Sequence, residues 1–216
     1  MITDFIFDLG NVLVDYNPMR CILGYTHNVI DANYIASEVF ASEQWIMLDK
    51  GTITYEEALR VWKERIPERL HSQLDEIIAN FHKHLPEIPE MTELVKRLKE
   101  SGKRIFILSN VSERFPKITE GLEVMKYVDG AVLSHEEKTL KPDPHIYASL
   151  LKKYSINPQG AIFIDDNAEN VHIATKFGMT GYIFDGDAER ITESFANLGF
   201  FKLSVPVEDD VINREE

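Results

Sequence analysis

The chain has 216 residues, 44% of them hydrophobic and 10% aromatic, and 23 Lys and Arg set against 36 Asp and Glu leave a net charge of −13. This composition excludes a wholly disordered chain, and at roughly 100–200 residues per domain the length allows one large domain or one domain carrying a smaller insertion. An acidic mean surface repels phosphate backbones, which argues against a nucleic-acid partner.

In chain order, the first element is a β-branched and aromatic segment, Ile2 to Phe7, that ends at Asp8. Segments of the same kind recur at Arg104 to Leu108, Ala131 to Leu133, Ala161 to Ile164 and Gly181 to Phe184, and each reads as a strand buried on both faces. Between them, Met91, Leu94, Val95 and Leu98 mark one helix face, which Gly102 can terminate, and Ile146, Leu150 and Leu151 mark another. Alternating strands and helices predict an α/β fold: a Rossmann-like, doubly wound parallel sheet with helices on both faces. Residues 16–86 break this rhythm, with helical patterns over Ala32 to Phe40, Tyr55 to Ile66 and Ser72 to Leu85 and no strand between them. Thr54 followed by Glu57 is a capping box opening the second of these helices. The stretch reads as a small all-helical cap inserted after the first strand, between core segments 1–15 and 87–204. Pro18, Pro86 and Pro89 would stiffen its two connections into a hinge. The acidic tail at 205–216 reads as a docked or frayed end.

No apolar run exceeds four residues, against about 20 needed to span a bilayer, and the N-terminus has no signal-peptide pattern. The single Cys21 forms neither an internal disulfide nor a thiolate metal site, which fits a cytoplasmic protein, monomer or homodimer.

The unusual polar residues fall at strand ends. In an open α/β sheet, ligands bind beyond the carboxyl ends of the strands. Asp8 ends the first strand, Ser109 and Asn110 the second, Lys141 lies after the third, and Asp165 and Asp166 end the fourth. Three clustered carboxylates repel one another unless a cation sits among them, and hard oxygen donors without His or Cys favour Mg²⁺. Lys141 adds a positive charge, and Ser109 with the backbone amide of Asn110 can hydrogen-bond an anion. Such a set suits phosphoryl transfer, in which positioning and charge neutralisation supply most of the catalysis, and it makes Asp8 a candidate nucleophile. Singly, each residue has an ordinary structural reading as a helix cap or a turn. The adjacent acids and the common register argue for a site.

The segments FIFDLGNVLVD (Phe5 to Asp15), FILSN (Phe106 to Asn110), LKPDP (Leu140 to Pro144) and FIDDNAENV (Phe163 to Val171) resemble, in order and spacing, the four motifs of the haloacid dehalogenase superfamily. The helical insertion looks like that family's C1 cap, and the DLGNV and IDDNAEN segments resemble its α-D-glucose-1-phosphate phosphatase group. The resemblance implies a Mg²⁺-dependent phosphatase acting on small phosphorylated metabolites, sugar phosphates in particular, through an aspartyl-phosphate on Asp8. It further implies a metal held by Asp8, the Gly10 carbonyl, Asp166 and Asp165. Ser109 and Asn110 would hold the phosphoryl oxygens, and Lys141 would neutralise Asp8 and the phosphate. Beyond the resemblance, Asn11 and Trp45 are candidate substrate contacts.

One position departs from the pattern. Gly10 stands where phosphatases of the superfamily carry a second Asp that serves as general acid and base, a function typically worth about 10²–10⁴ in rate. An anomeric sugar phosphate, with its better leaving group, suits such a site, and a cap residue or water could replace the acid. Two alternatives follow from Gly10: a 2-haloacid dehalogenase-type hydrolase, which has no use for the retained Asp165 and Asp166, or a non-catalytic phosphate-ligand binding protein. Specificity is expected from the cap, with WIMLDKGT (Trp45 to Thr52) as the segment facing the core. It offers an aromatic surface, Asp49, Lys50 and a flexible Gly51, although Trp45 could equally pack the cap interior.

Overall fold

Short strands that are apolar on both faces must be covered on both faces, and the sheet they form is parallel throughout. The computed structural model describes residues 1–202. Its strands are β1 (Asp4–Phe7), β2 (Arg104–Ser109), β3 (Gly130–Leu133), β4 (Ala161–Asp165) and β5 (Thr180–Ile183), in the spatial order β3-β2-β1-β4-β5. Period-two alternation divides their side chains. Phe5, Phe7, Ile105, Ile107, Ile162 and Ile164 enter one apolar cluster, whereas Ile6, Phe106, Leu108 and Phe163 enter the other.

Helices close both faces. On one side α6 (Pro89–Glu100) contributes Met91, Leu94, Val95 and Leu98, and α11 (Ala188–Asn197) contributes Ile191 and Phe195. On the other, α9 (Pro144–Lys153) and α10 (Ala168–Lys176) bury Ile146, Tyr147, Leu150, Val171 and Ala174. Two short helices, α7 (Phe115–Thr119) and α8 (Ser134–Glu137), follow β2 and β3. The Rossmann-like α/β reading therefore holds, and the observed strand bounds differ from the expected ones by one or two residues at most ends.

Between β1 and α6 the regular elements are all helical: α1 (Pro18–Tyr25), α2 (Val29–Ile35) with a π-helical turn at Ala36–Phe40, α3 (Glu43–Lys50), α4 (Tyr55–Arg65) and α5 (His71–Asn80). The capping box is present at α4, where the Thr54 hydroxyl accepts from the Glu57 amide and the Glu57 carboxylate accepts from the Thr54 amide. Helices α1 and α3 are additional to the sequence reading. Pro18 occupies the first turn of α1, where its missing N–H is harmless, with Asn17 as the cap, and Pro89 takes the same place in α6. The two connections are also hydrogen-bonded to each other. The Asp15 amide donates to Pro86 O at 2.9 Å and the Ile88 amide to Leu13 O at 2.8 Å. Apolar side chains of these helices, including Trp62, Leu74 and Ile77, are continuous with the cluster beneath the sheet. No helix of the described residues is long and apolar enough to cross a membrane. The tail at 205–216 lies outside the described residues.

Candidate active site

Parallel strands bring their carboxyl ends to one edge, and β1 lies at the centre of that edge between β2 and β4, where the order of connections reverses. Lys141 is its electrostatic hub. The ammonium lies 2.8 Å from Asp8 Oδ1 and 2.7 Å from Asp165 Oδ2, with Lys141 and Asp165 both buried. Burial alone would lower the Lys141 pKa, but the two carboxylates outweigh it and hold the value above its ordinary one. Asp8 is shifted above the usual carboxylate range by burial, against the pull of Lys141 and with a further push from Asp165. The two oxygens of Asp8 have different surroundings: Oδ1 also accepts from the Leu9 amide at 2.6 Å, whereas Oδ2 accepts no hydrogen bond among the described residues.

Asp165 is fully engaged. Beyond Lys141, its oxygens accept from the Asn167 amide at 2.8 Å and from Asn170 Nδ2 at 3.0 and 3.1 Å. Asp166 is exposed and accepts from Asn11 Nδ2 at 3.0 Å. Asn11 itself is left-handed, with φ 55°, a conformation that Asn tolerates better than most residues. Asp8, Asp165 and Asp166 each offer an oxygen within 4.8 Å of the others, so the group could hold a divalent cation. Of the remaining donors, Asp166 and the Gly10 carbonyl are freer than Asp165, which already serves Lys141 and Asn170.

Ser109 ends β2 buried, lines the cavity and has no hydrogen-bond partner for its hydroxyl among the described residues. Asn110 divides its side chain from its main chain. The sequence reading offers its backbone amide to the phosphoryl oxygens, and its side chain is engaged elsewhere: it is closed on the main chain of Lys141, accepting from its amide at 2.7 Å and donating to its carbonyl at 2.9 Å. Asn110 thus fixes the loop that presents Lys141, and only its main chain remains for an anion.

A cavity of about 260 Å³ opens above this edge. Asp8, Gly10, Asn11, Ser109 and Asp166 line its floor, and Tyr16, Trp45, Asp49, Tyr55 and Phe81 line the remainder. Trp45 has two sets of surroundings. It walls the cavity, and its ring packs 4.5 Å from Phe40, 5.2 Å from Phe81 and 6.2 Å from Trp62, centroid to centroid. Trp45 and Asp49 are four apart on α3 and share the inward face, while Ile46 and Lys50 are exposed.

Several contacts hold these helices to the sheet edge. The Ser134 hydroxyl donates to Asp49 O, Lys138 Nζ donates to Gly51 O at 2.7 Å, and the Tyr55 and Ser112 hydroxyls are 2.7 Å apart. The Arg114 guanidinium lies over the Tyr55 ring at 3.6 Å. Gly51 is not a flexible residue here: it stops α3 at φ 69°, and a Cβ there would lie 2.5 Å from His135 O. Sequence reasoning passes over Tyr16, Tyr55, Ser112 and Ser134. Ser134 carries the same signal as Ser109, a small polar residue just beyond an apolar strand, whereas the other three depend on which way the helices lie over the sheet.

Asp49 is an inward-facing acid that no ion pair explains. Burial pushes its carboxyl up to about 8, the nearby Ser112 backbone amide opposes that rise, and the charge on Asp8 adds to it. Other groups around it are Tyr16 from the connection after β1, Tyr55 from α4 with Arg114 on its ring, and, beyond Gly51, His135 and Lys138 of the α8 region. From the ordinary value of 3.8 up to about 8 the folded chain holds a proton on Asp49 that the unfolded chain has lost, so stability falls as pH rises through that window. Asp49→Asn stays neutral and removes that loss. Its Tm relative to the unsubstituted protein is expected to climb from the ordinary value of 3.8 up to about pH 8, whereas a Tm difference independent of pH would mean that Asp49 is ionised throughout.

Residues 5–178 match the haloacid dehalogenase-like hydrolase family. The chain is 28% identical over 187 residues to sesquiterpene phosphatase astK of Aspergillus oryzae, which covers 82% of this chain and 86% of that protein. It is also 28% identical over 107 residues to (S)-2-haloacid dehalogenase 4A of Burkholderia cepacia, covering 49% of this chain and 46% of that one, so it spans less than half of that relative's length. Among solved structures, the HAD family enzyme bt-2542 from Bacteroides thetaiotaomicron, in complex with magnesium and inorganic phosphate, superposes with a TM-score of 0.71 at 24% identity, over 87% of this chain and 96% of that one. That likeness concerns the fold.

Proposed function

The chain belongs to the haloacid dehalogenase-like hydrolase family, and from that premise we propose that it is a Mg²⁺-dependent phosphatase of small phosphorylated metabolites, sugar phosphates first among them, working through an aspartyl-phosphate on Asp8. The observation that carries the proposal is the asymmetry of Asp8: Lys141 and the Leu9 amide fix one oxygen, and the other is left without a hydrogen bond in a residue that lines the cavity. A carboxylate held in this way presents a lone pair without having to break a hydrogen bond first.

The all-oxygen donor set fits Mg²⁺, which Asp8, the Gly10 carbonyl and Asp166 would hold, with Asp165 nearby; bound there, the ion would neutralise charge on the phosphoryl oxygens. Lys141 orients Asp8 and counters the charge of the incoming ester. The Ser109 hydroxyl and the main chain of Asn110 bind phosphoryl oxygens, and Asn11 steadies Asp166. Asp8 Oδ2 attacks phosphorus, the ester oxygen leaves, and water then releases phosphate and regenerates the carboxylate. Above the phosphate, Trp45, Tyr16 and Tyr55 offer ring faces on which the C–H face of a sugar can stack, with the side-chain oxygen of Asn11 available to hydroxyls.

A second reading, hydrolysis at carbon as in the Burkholderia dehalogenase, is favoured by Gly10, the position at which this chain departs from the phosphatase pattern. The two readings part on metal dependence. Phosphate release across a panel of phosphate esters is expected with Mg²⁺ and is expected to vanish in EDTA. Halide release from a 2-haloacid that survives EDTA, with no ester hydrolysed, would overturn the phosphatase proposal.

A further inference from the structure

We propose that Asp49, carried by helix α3, is the general acid and base of this site, replacing from above the carboxyl group that Gly10 does not supply from below. The inference rests on the phosphatase reading of the site.

The geometry restricts the choice. Leaving-group departure needs an acid on the cavity wall, and the core offers none that is free: Asp8 makes the bond, Lys141 is held between two carboxylates, Asp166 is paired with Asn11, and the Ser109 hydroxyl is too weak an acid and serves the phosphoryl oxygens. Burial raises the Tyr16 phenol well above its ordinary range and pushes Tyr55 up to about 12, and the Tyr55 hydroxyl is tied to Ser112. Among the described residues, Asp49 is the one carboxylic acid that the helices over the edge contribute to this lining. It is also firmly placed. Its backbone carbonyl accepts the Ser134 hydroxyl, and Gly51 fixes the end of its helix two residues on. Burial keeps the carboxyl protonated near neutral pH, the state a general acid must start from.

In the first step a bond forms between Asp8 Oδ2 and phosphorus, the bond from phosphorus to the ester oxygen breaks, and the Asp49 proton passes to that oxygen, so the alcohol leaves neutral. In the second, the Asp49 carboxylate takes a proton from water as the water oxygen attacks phosphorus, and the bond to Asp8 breaks. Both carboxyl groups end as they began. Glycine at position 10 is not a steric requirement either, since a Cβ there would meet nothing nearer than Tyr16 Cβ at 3.6 Å. The core could therefore accept an acid of its own.

The test measures kcat/KM, which reports the first step, on 4-nitrophenyl phosphate and on an alkyl phosphate. For Asp49→Asn the alkyl ester is expected to lose about 10²–10⁴-fold, the size of a lost general acid, and the nitrophenyl ester, whose leaving group needs no proton, less than about tenfold. Because water attack is also slowed, 4-nitrophenyl phosphate should give a burst of nitrophenol matching the enzyme concentration. Asp49→Glu keeps the proton and should keep the two esters close together. Adding Gly10→Asp to Asp49→Asn should restore the alkyl ester preferentially. Equal losses on both esters without a burst, in an Asp49→Asn protein of unchanged Tm at about pH 3.8, would overturn the assignment. If the unsubstituted protein hydrolyses no ester at all, the phosphatase reading fails first and takes this inference with it.

Discussion

Asp8→Asn is expected to lower phosphate release by about 10⁴-fold or more, the scale on which losing an enzymatic nucleophile is felt, while leaving the fold intact. Asparagine keeps the shape of the side chain and an oxygen that can still accept the Leu9 amide, now 2.6 Å from Asp8 Oδ1. Lys141 is not stranded, because Asp165 remains 2.7 Å away. The substitution also removes one of three carboxylates that lie within 4.8 Å of one another, which relieves repulsion. Its Tm should accordingly match or exceed that of the unsubstituted protein. Mass spectrometry of enzyme quenched during turnover supplies the covalent readout: a phosphoryl group on the peptide containing Asp8, absent from Asp8→Asn. Unchanged turnover in the variant, or a phosphoryl group on another residue, would remove Asp8 from the first step.

Asp8 and its neighbours are readable in the sequence because each follows a strand that is apolar on both faces, and such strands have few alternative placements. Once the strands are parallel, the common edge of Asp8, Ser109, Lys141 and Asp165 follows from topology alone. Side-chain direction does not follow. The Asn110 amide turns onto the Lys141 backbone, and the two adjacent acids separate into a buried one that anchors Lys141 and an exposed one that meets Asn11. Reading that division requires the positions of Asn167 and Asn170, whose N–H groups occupy Asp165. The helices over the edge are harder still. Helix α3 is eight residues long and amphipathic only weakly, so its limits come from Ser42 and Gly51 rather than from periodicity. Which of its faces meets the core depends on the seating of α3 and α4 against Ser112 and Ser134, contacts between residues far apart in the chain.

The net charge of −13 has a local counterpart at this edge. An anionic ester approaches a chain whose mean field repels it, and the only cation among the described residues in contact with both Asp8 and Asp165 is Lys141. Small ligands can respond to that local sign, and a metal ion bound by the remaining oxygens would strengthen it, whereas a polyanion would meet the whole surface.

Lys141→Met tests how much of that arrangement is structural. Methionine approximates the length of the stem but leaves Asp8 and Asp165 facing each other without a cation, Asp165 at 0% exposure. Breaking a buried pair by removing one partner typically costs about 3–5 kcal/mol, or a Tm fall of roughly 6–20 °C for a chain of this size. Phosphate release should be lost as well, so the single variant cannot separate instability from chemistry. Combining it with Asp165→Asn does so. The double variant has one buried charge fewer to compensate, and the introduced asparagine can still accept from the Asn170 amide through its carbonyl oxygen, so most of the lost Tm is expected to return. Activity is expected to stay absent, because no ammonium then orients Asp8 or meets the phosphoryl charge. A double variant that regained phosphate release together with Tm would mean that Lys141 serves only to hold the two carboxylates in the fold.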